Sequence, residues 1–236
     1  MRRHRHRDRV CLHQEPADPG LQRRQRAQPD RQESAAVITT GLSTSLDGFI
    51  AGAHDNPQRP LGVGGDRLFK WFEDGDTPSR FYPSFRMSAA SAKFFDALAG
   101  RHGAVITGRR TYDVADAWGG QGPLPGVPLF VVTHRVPKTV PPGEPPYTFV
   151  TDGVERAVEK ARTAAAGKDV SLMGATIVQQ CLRAGLLDIL TIHLVPVVLG
   201  RGVRLLDGLE PGSAEMELLQ VVDAPGVTHL TYRVVS

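Results

Sequence analysis

Between Ser88 and Ala184, short apolar runs alternate with stretches of helical period, and that alternation restricts the fold more than any other feature of the chain. Ser88 to Gly100 puts Ala92, Phe95 and Ala99 on one stripe, with Ser88 as N-cap and Gly100 as a stop. Ala104 to Thr107 is an apolar strand, Pro128 to Thr133 another, and Val170 to Met173 a third. Gly153 to Ala166 keeps Val154, Val158, Ala161 and Ala165 in phase, and Ala175 to Ala184 is a helix that Gly185 ends. Strands and helices in alternation bury their apolar faces as an α/β fold around a mostly parallel sheet.

The flanks extend this frame. Val37 to Leu46 is an uncharged first strand, and Asp47-Gly48 offers a turn before Phe49-Ile50-Ala51. Gly52 to Arg86 is longer than an ordinary connection, and its Trp71 and Phe72 either shut a pocket from water or pack beneath the loop. Leu190 to Leu199 is a long apolar strand; Met216 to Val222 and Val227 to Val235 flank Asp223-Ala224-Pro225-Gly226 as an antiparallel hairpin. The long strand and the C-terminal hairpin suit a sheet-mediated homodimer, and the strand's apolar content equally suits a buried central position. His193 within it reads as a core or interface histidine.

Charge is uneven along the chain. Residues 1–35 hold nine Arg and no Lys against five acids, so of the overall +3 the remainder carries one net negative charge. Residues 37–236 are therefore not basic, and nucleic acid is not an expected partner. Residues 1–36 read as a disordered Arg-rich tail, either a basic arm or an artefact of the assigned start. Cys11 and Cys181 are too few for a disulfide framework or a thiolate metal site, so no metal is expected and a reducing cytoplasm fits. No apolar run approaches the roughly 18 residues a membrane helix needs.

Three strand ends carry groups suited to an anion. Gly108-Arg109-Arg110-Thr111 follows a strand and opens a short helix, with backbone N–H groups, a hydroxyl and two guanidinium groups. Thr133-His134-Arg135 ends the next strand, and Met173-Gly174-Ala175-Thr176 joins a strand to a helix. In a parallel sheet such ends share one edge, where ligands of open α/β sheets bind, and their recurrence favours a dinucleotide. Each turn alone is also ordinary solvated capping chemistry.

Ser45-Leu46-Asp47-Gly48-Phe49-Ile50-Ala51, Thr107-Gly108-Arg109-Arg110-Thr111-Tyr112, Met173-Gly174-Ala175 and Leu194-Val195-Pro196-Val197-Val198-Leu199-Gly200-Arg201-Gly202 resemble, in this order, the dihydrofolate reductase superfamily. The likeness covers about 200 residues and leans to the riboflavin-biosynthesis branch, the reductase domain that follows the deaminase in the bifunctional pyrimidine deaminase-reductase. It implies a three-layer α/β/α fold and a reductase using NADPH on a small heterocycle, most like 5-amino-6-(5-phosphoribosylamino)uracil. Dihydrofolate or pterin reduction and a non-catalytic NADPH-binding protein are the alternatives.

Carried over by position, the resemblance places Gly108, Arg109, Arg110 and Thr111 at the pyrophosphate and 2′-phosphate, and Thr133, His134 and Arg135 beside the adenosine ribose phosphate. Gly174, Ala175, Thr176 and Ile177 would meet the pyrophosphate at a helix N-terminus, and Ser43, Ile50 and Ala51 would line the nicotinamide. Asp47 is the acid that matches, with a substrate-orienting role; Asp-Gly is equally the chemistry of a tight turn. Two positions depart from the pattern. Met173 stands where relatives carry the first of two glycines, and Ser91 or Ala92 stands where dihydrofolate reductases keep a helix carboxylate. The His-x-Glu and Pro-Cys-x-x-Cys zinc signature of the deaminase half is absent, which reads as a stand-alone reductase module.

Overall fold

The computed structural model describes residues 36–210 and 212–235; the Arg-rich tail expected over residues 1–36 lies outside the described residues except for Ala36. Along the chain the strands are β1 Ile38–Ser45, β2 Phe49–Gly52, β3 Thr77–Pro78, β4 Arg86–Met87, β5 His102–Gly108 and β6 Leu129–Val132. They continue as β7 Thr148–Val150, β8 Asp169–Met173, β9 Ile189–Val195, β10 Gly202–Arg204, β11 Glu215–Ala224 and β12 Val227–Val235. The α-helices are α1 Ala89–Ala99, α2 Arg109–Val114, α3 Val154–Ala165 and α4 Ala175–Arg183.

Eight strands form one sheet in the order β11-β12-β9-β1-β8-β5-β6-β7. Every pairing from β9 across to β7 is parallel, whereas β12 pairs antiparallel with both β9 and β11. The expected α/β fold with a C-terminal antiparallel hairpin is what the chain adopts. β9 lies between β1 and β12, so the apolar run at Leu190 is a central strand and not an edge. Its sheet pairing stops at Val195, because Pro196 has no N–H to donate to a ladder.

The parallel strands are apolar on both faces, as burial from both sides requires. Ala104 and Ile106 of β5 join Leu172, Ile38 and Leu190 against Ala157, Val158 and Ala161 of α3 and Val178 and Cys181 of α4. Val105 points the other way with Leu129 and Val131, against Ala99 of α1 and Tyr112 of α2. The result is three layers, helix–sheet–helix. Ser88 caps α1 as the spacing predicts, its hydroxyl accepting from the Ser91 N–H.

The long connection after β2 contains structure of its own. Residues Gly65–Phe72 form a 3-10 helix whose Leu68, Trp71 and Phe72 are buried with Met87, Ala92, Val195 and Val227. Between the two sequence readings of Trp71, packing beneath the loop is the one adopted: it is 2% exposed and its Nε1–H donates to Ser43 Oγ at 3.1 Å.

Candidate active site

Four parallel strands deliver their C-terminal ends to one edge of the sheet, and a cleft of about 1080 Å³ opens there. Ser43 of β1, Gly108 at the end of β5, Thr133 after β6 and Gly174 after β8 all line it. Arg109, Arg110 and Thr111 follow Gly108 on α2, His134 and Arg135 follow Thr133, and Ala175, Thr176 and Ile177 open α4. Ile50 and Ala51 reach the same cleft from β2. Sites read separately from four turns thus share one cavity.

Gly174 decides how close anything can come to the first turn of α4. It has φ +93° and ψ 141°, a conformation that side chains oppose, and a Cβ built on it would meet Thr111 Oγ1 at 2.4 Å. The positive φ falls at Gly174, and Met173 before it ends β8. No side chain caps α4, so its first backbone N–H groups stay available on the cleft side.

The arginines are restrained by acids. Arg109 donates Nε–H to both Asp113 carboxylate oxygens at 2.8 and 2.9 Å, and an Nη1–H to the Arg135 carbonyl at 2.8 Å. Arg110 forms a two-point ion pair with Asp55, whose side chain is 8% exposed. Asp55 belongs to the loop after β2, so this pair ties that loop to α2 across the cleft. An anion binding here meets guanidinium groups already oriented but partly neutralised.

Asp47 does not line the cleft. Its carboxylate accepts the N–H of Leu199 at 3.1 Å and of Gly200 at 2.7 Å, which fastens the β1–β2 turn to the segment after β9. A hydrogen bond from Ser45, with those from Gly200 and Leu199, holds its pKa down at about 2 against an ordinary 3.8. A carboxyl lowered by folding stabilises above its unfolded pKa, and that contribution fades as pH falls from about 4 to about 2. The stability difference between wild type and Asp47→Asn should therefore shrink over that acid range in pH-dependent urea melts.

Two further acids, Asp96 and Asp66, also lie outside the cleft lining. Asp96 is buried, which alone would raise its pKa, yet hydrogen bonds from Ser79 and Arg80 hold it below the ordinary range. It braces the loop before β4. Asp66 is exposed in the 3-10 helix. Among the described residues, Asp55 is the one carboxylate in the cleft lining.

Phe72, which the sequence offered as a residue that could shut a pocket, does line the cleft, among aromatic neighbours that carry no advance signal of a site. Phe69, Phe72, Tyr82, Phe85 and Phe95 form an aromatic wall, with Tyr82 stacked on Phe85 at 5.0 Å and Phe72 at 4.5 Å from Phe85. Trp118 also lines the cleft, from a turn in which Asp116, Ala117 and Trp118 have φ of 47°, 48° and 49°. Successive left-handed non-glycine residues cost roughly 1–2 kcal/mol each, which is tolerated mainly where the surroundings enforce it. Tyr147 is part of that enforcement, its hydroxyl donating to the Ala117 carbonyl at 2.5 Å. His193, expected in the core, is 3% exposed and still touches the cavity.

Solved structures share this architecture. A protein assigned to riboflavin biosynthesis from Shewanella sp. PV-4 matches with TM-score 0.62 and 23% identity, over 85% of this chain and 99% of its own. The diaminohydroxyphosphoribosylaminopyrimidine deaminase/5-amino-6-(5-phosphoribosylamino)uracil reductase of Thermotoga maritima matches with TM-score 0.56 and 13% identity, over 85% of this chain but only 57% of its own length. Dihydrofolate reductase from Enterococcus faecalis, complexed with NADP(H), matches with TM-score 0.52 and 14% identity, over 86% of this chain and 98% of its own. At such identities these likenesses establish the fold. No curated protein matches the sequence. Sequence kinship comes instead from the RibD C-terminal domain model, which matches residues 36–230: the chain belongs to that family.

Proposed function

We propose that the domain is an NADPH-dependent reductase of a small heterocyclic substrate. Its family and the reductases that share its fold support an oxidoreductase. The observation that carries the reading is the convergence of four strand ends on one cleft, with Gly174 packed against Thr111 so that a bulky anion can approach the first turn of α4. The residues fit a dinucleotide. Gly108, Arg109, Arg110 and Thr111 would hold the pyrophosphate and 2′-phosphate, and Gly174, Ala175, Thr176 and Ile177 would meet the pyrophosphate at the start of α4. Thr133, His134 and Arg135 would border the adenosine ribose, and Ser43, Ile50 and Ala51 the nicotinamide.

Bound there, the nicotinamide would supply a hydride from C4, and the protein orientation and charge. The aromatic wall excludes water and offers ring faces to a flat substrate. Substrate candidates follow from the relatives: the phosphoribosylaminouracil on which the Thermotoga enzyme acts comes first, a pterin or dihydrofolate second. A homodimer belongs to the same proposal, with β11 of the C-terminal hairpin as the surface: it is the edge strand, and Leu218, Leu219 and Val221 are exposed on it.

Turnover tests the reading. Purified protein should oxidise NADPH with at least one of these acceptors; binding without oxidation across the whole set would reduce the cleft to a nucleotide-binding site. The double variant Arg109→Ala, Arg110→Ala should lose its preference for NADPH over NADH by about tenfold or more, the scale of charged hydrogen bonds to a phosphate. An unchanged preference, measured as the ratio of the two dissociation constants, removes these arginines from the 2′-phosphate site.

A further inference from the structure

At the floor of the aromatic end, three polar side chains from three elements form a single file. The sheet register sets His193 of β9 beside Ser43 of β1 on one side and His229 of β12 on the other. His193 Nδ1 and His229 Nδ1 are 2.9 Å apart, and His229 Nε2 is 3.0 Å from Ser91 Oγ on α1. His229 is fully buried. Phe94 stacks on its ring at 4.6 Å, and Trp71 closes over both imidazoles at 5.1 and 5.2 Å.

Two nitrogens in hydrogen-bond contact cannot both carry hydrogen and cannot both be bare. One Nδ1 therefore carries the hydrogen and the other is bare; with both rings neutral, the ring whose Nδ1 is bare holds its proton on Nε2. Burial works in the same direction: it pushes His193 down to about 3 and His229 down to about 4. The remaining ring nitrogen, His193 Nε2, lies on the Gly41 side, where a Cβ would come within 3.3 Å of it. Gly41 and His193 both line the cleft.

We propose that His193, oriented by His229 and Ser91, is the specificity-determining residue of the aromatic end, and that through Nε2 it selects an uncharged planar heterocycle by its polar edge. This rests on the reductase reading only in taking the occupant of that end to be the hydride acceptor.

The file has two arrangements of equal charge. If the Ser91 hydroxyl donates to His229 Nε2, then His229 Nδ1–H donates to His193 Nδ1 and His193 presents an N–H to the cleft. If Ser91 accepts, every bond reverses and Nε2 presents a lone pair. Either way each ring keeps one proton, so Nε2 matches a ring carbonyl or a ring N–H, as found along the edge of a uracil, without net charge in the site. A cationic ring such as a protonated diaminopyrimidine can use only the lone-pair arrangement, and it gives up its hydration without a free counter-charge in the lining. It meets neutral imidazoles, and the lining carboxylate, Asp55, is already held by Arg110. The aromatic wall supplies faces for a flat ring in either case, so discrimination falls to His193.

The test uses the full chain labelled with 15N-histidine, with uracil and lumazine as uncharged probes and 2,4-diaminopyrimidine in mildly acidic buffer as the cationic one. Long-range 1H–15N spectra should show the uncharged probes shifting His193 Nε2 and settling one tautomer, with the cationic probe binding more weakly. His193→Phe should cost at least about tenfold in uracil affinity, and His193→Gln, which restores a donor and an acceptor, should recover part of it. Circular dichroism and thermal melting of both variants control for folding, with His193→Gln carrying the test if His193→Phe melts early. Equal uracil affinity in wild type and a folded variant, or tighter binding of the cation, overturns the assignment. If no acceptor oxidises NADPH but uracil still shifts Nε2, the reductase reading fails and the recognition role of His193 stands.

Discussion

Replacing Gly174 with Ala is expected to weaken NADPH binding by more than tenfold and to lower the melting temperature. Two costs coincide at this position. A φ of +93° with ψ 141° lies outside the regions open to a residue with a side chain, a strain on the order of 1–3 kcal/mol. The new methyl would also sit 2.4 Å from Thr111 Oγ1, and Thr111 is β-branched, with few rotamers to retreat into. Relief requires α4 to move away from α2, which opens the pair of turns that would hold the pyrophosphate. Fluorescence titration with NADPH measures the first effect and a thermal melt the second. Wild-type affinity in Gly174→Ala would show that nothing binds against this turn.

Trp71→Ala should cost about 3–5 kcal/mol of stability, read as a fall in the urea midpoint at constant m-value. The indole is 2% exposed, stacks on Phe72 at 3.8 Å, meets Phe95 at 6.2 Å, and closes over the two buried histidines. Its removal leaves a void between the 3-10 helix and the sheet that rigid neighbours cannot fill. Trp71→Phe keeps most of the apolar contact and loses the hydrogen bond to Ser43, so its expected cost is smaller, about 1 kcal/mol. A loss below about 1 kcal/mol in Trp71→Ala would mean that the 3-10 helix rides loosely on the sheet.

The fold was legible where periodicity and punctuation agree. Ser88 and Gly100 bracket α1, Gly185 follows α4, and the runs at Val105, Val131 and Leu172 became parallel strands, because each such signal is local. The three residues of β7 and the short β2–β10 pair went unseen, since such brief pairings depend on partners distant in sequence. The 3-10 helix over residues 65–72 was hidden for a related reason: its apolar residues have meaning only against Met87 and Val195.

The candidate site divides in the same way. Strand-end glycines and arginines stand out in a sequence, so the turns at Gly108, Thr133 and Gly174, which share one cleft, are legible there. That Asp55 would engage Arg110, 55 positions away, is set by how the loop folds back, and Asp–Gly at 47–48 looks the same whether its carboxylate faces a substrate or Leu199 and Gly200. His193 was read as a core histidine, which it is. Its second face, toward the cleft, appears only when β12 brings His229 beside it.

The change of strand direction within the sheet has a consequence for inheritance. The turns proposed for the phosphates hang from β5, β6 and β8, all parallel, whereas the imidazole file hangs from β9 and the antiparallel β12, with β1 as the seam between them. Mutations that retune one half are separated from the other by a whole strand. A lineage built on this sheet could alter the imidazole file while keeping the turns proposed to anchor the phosphates of its cofactor.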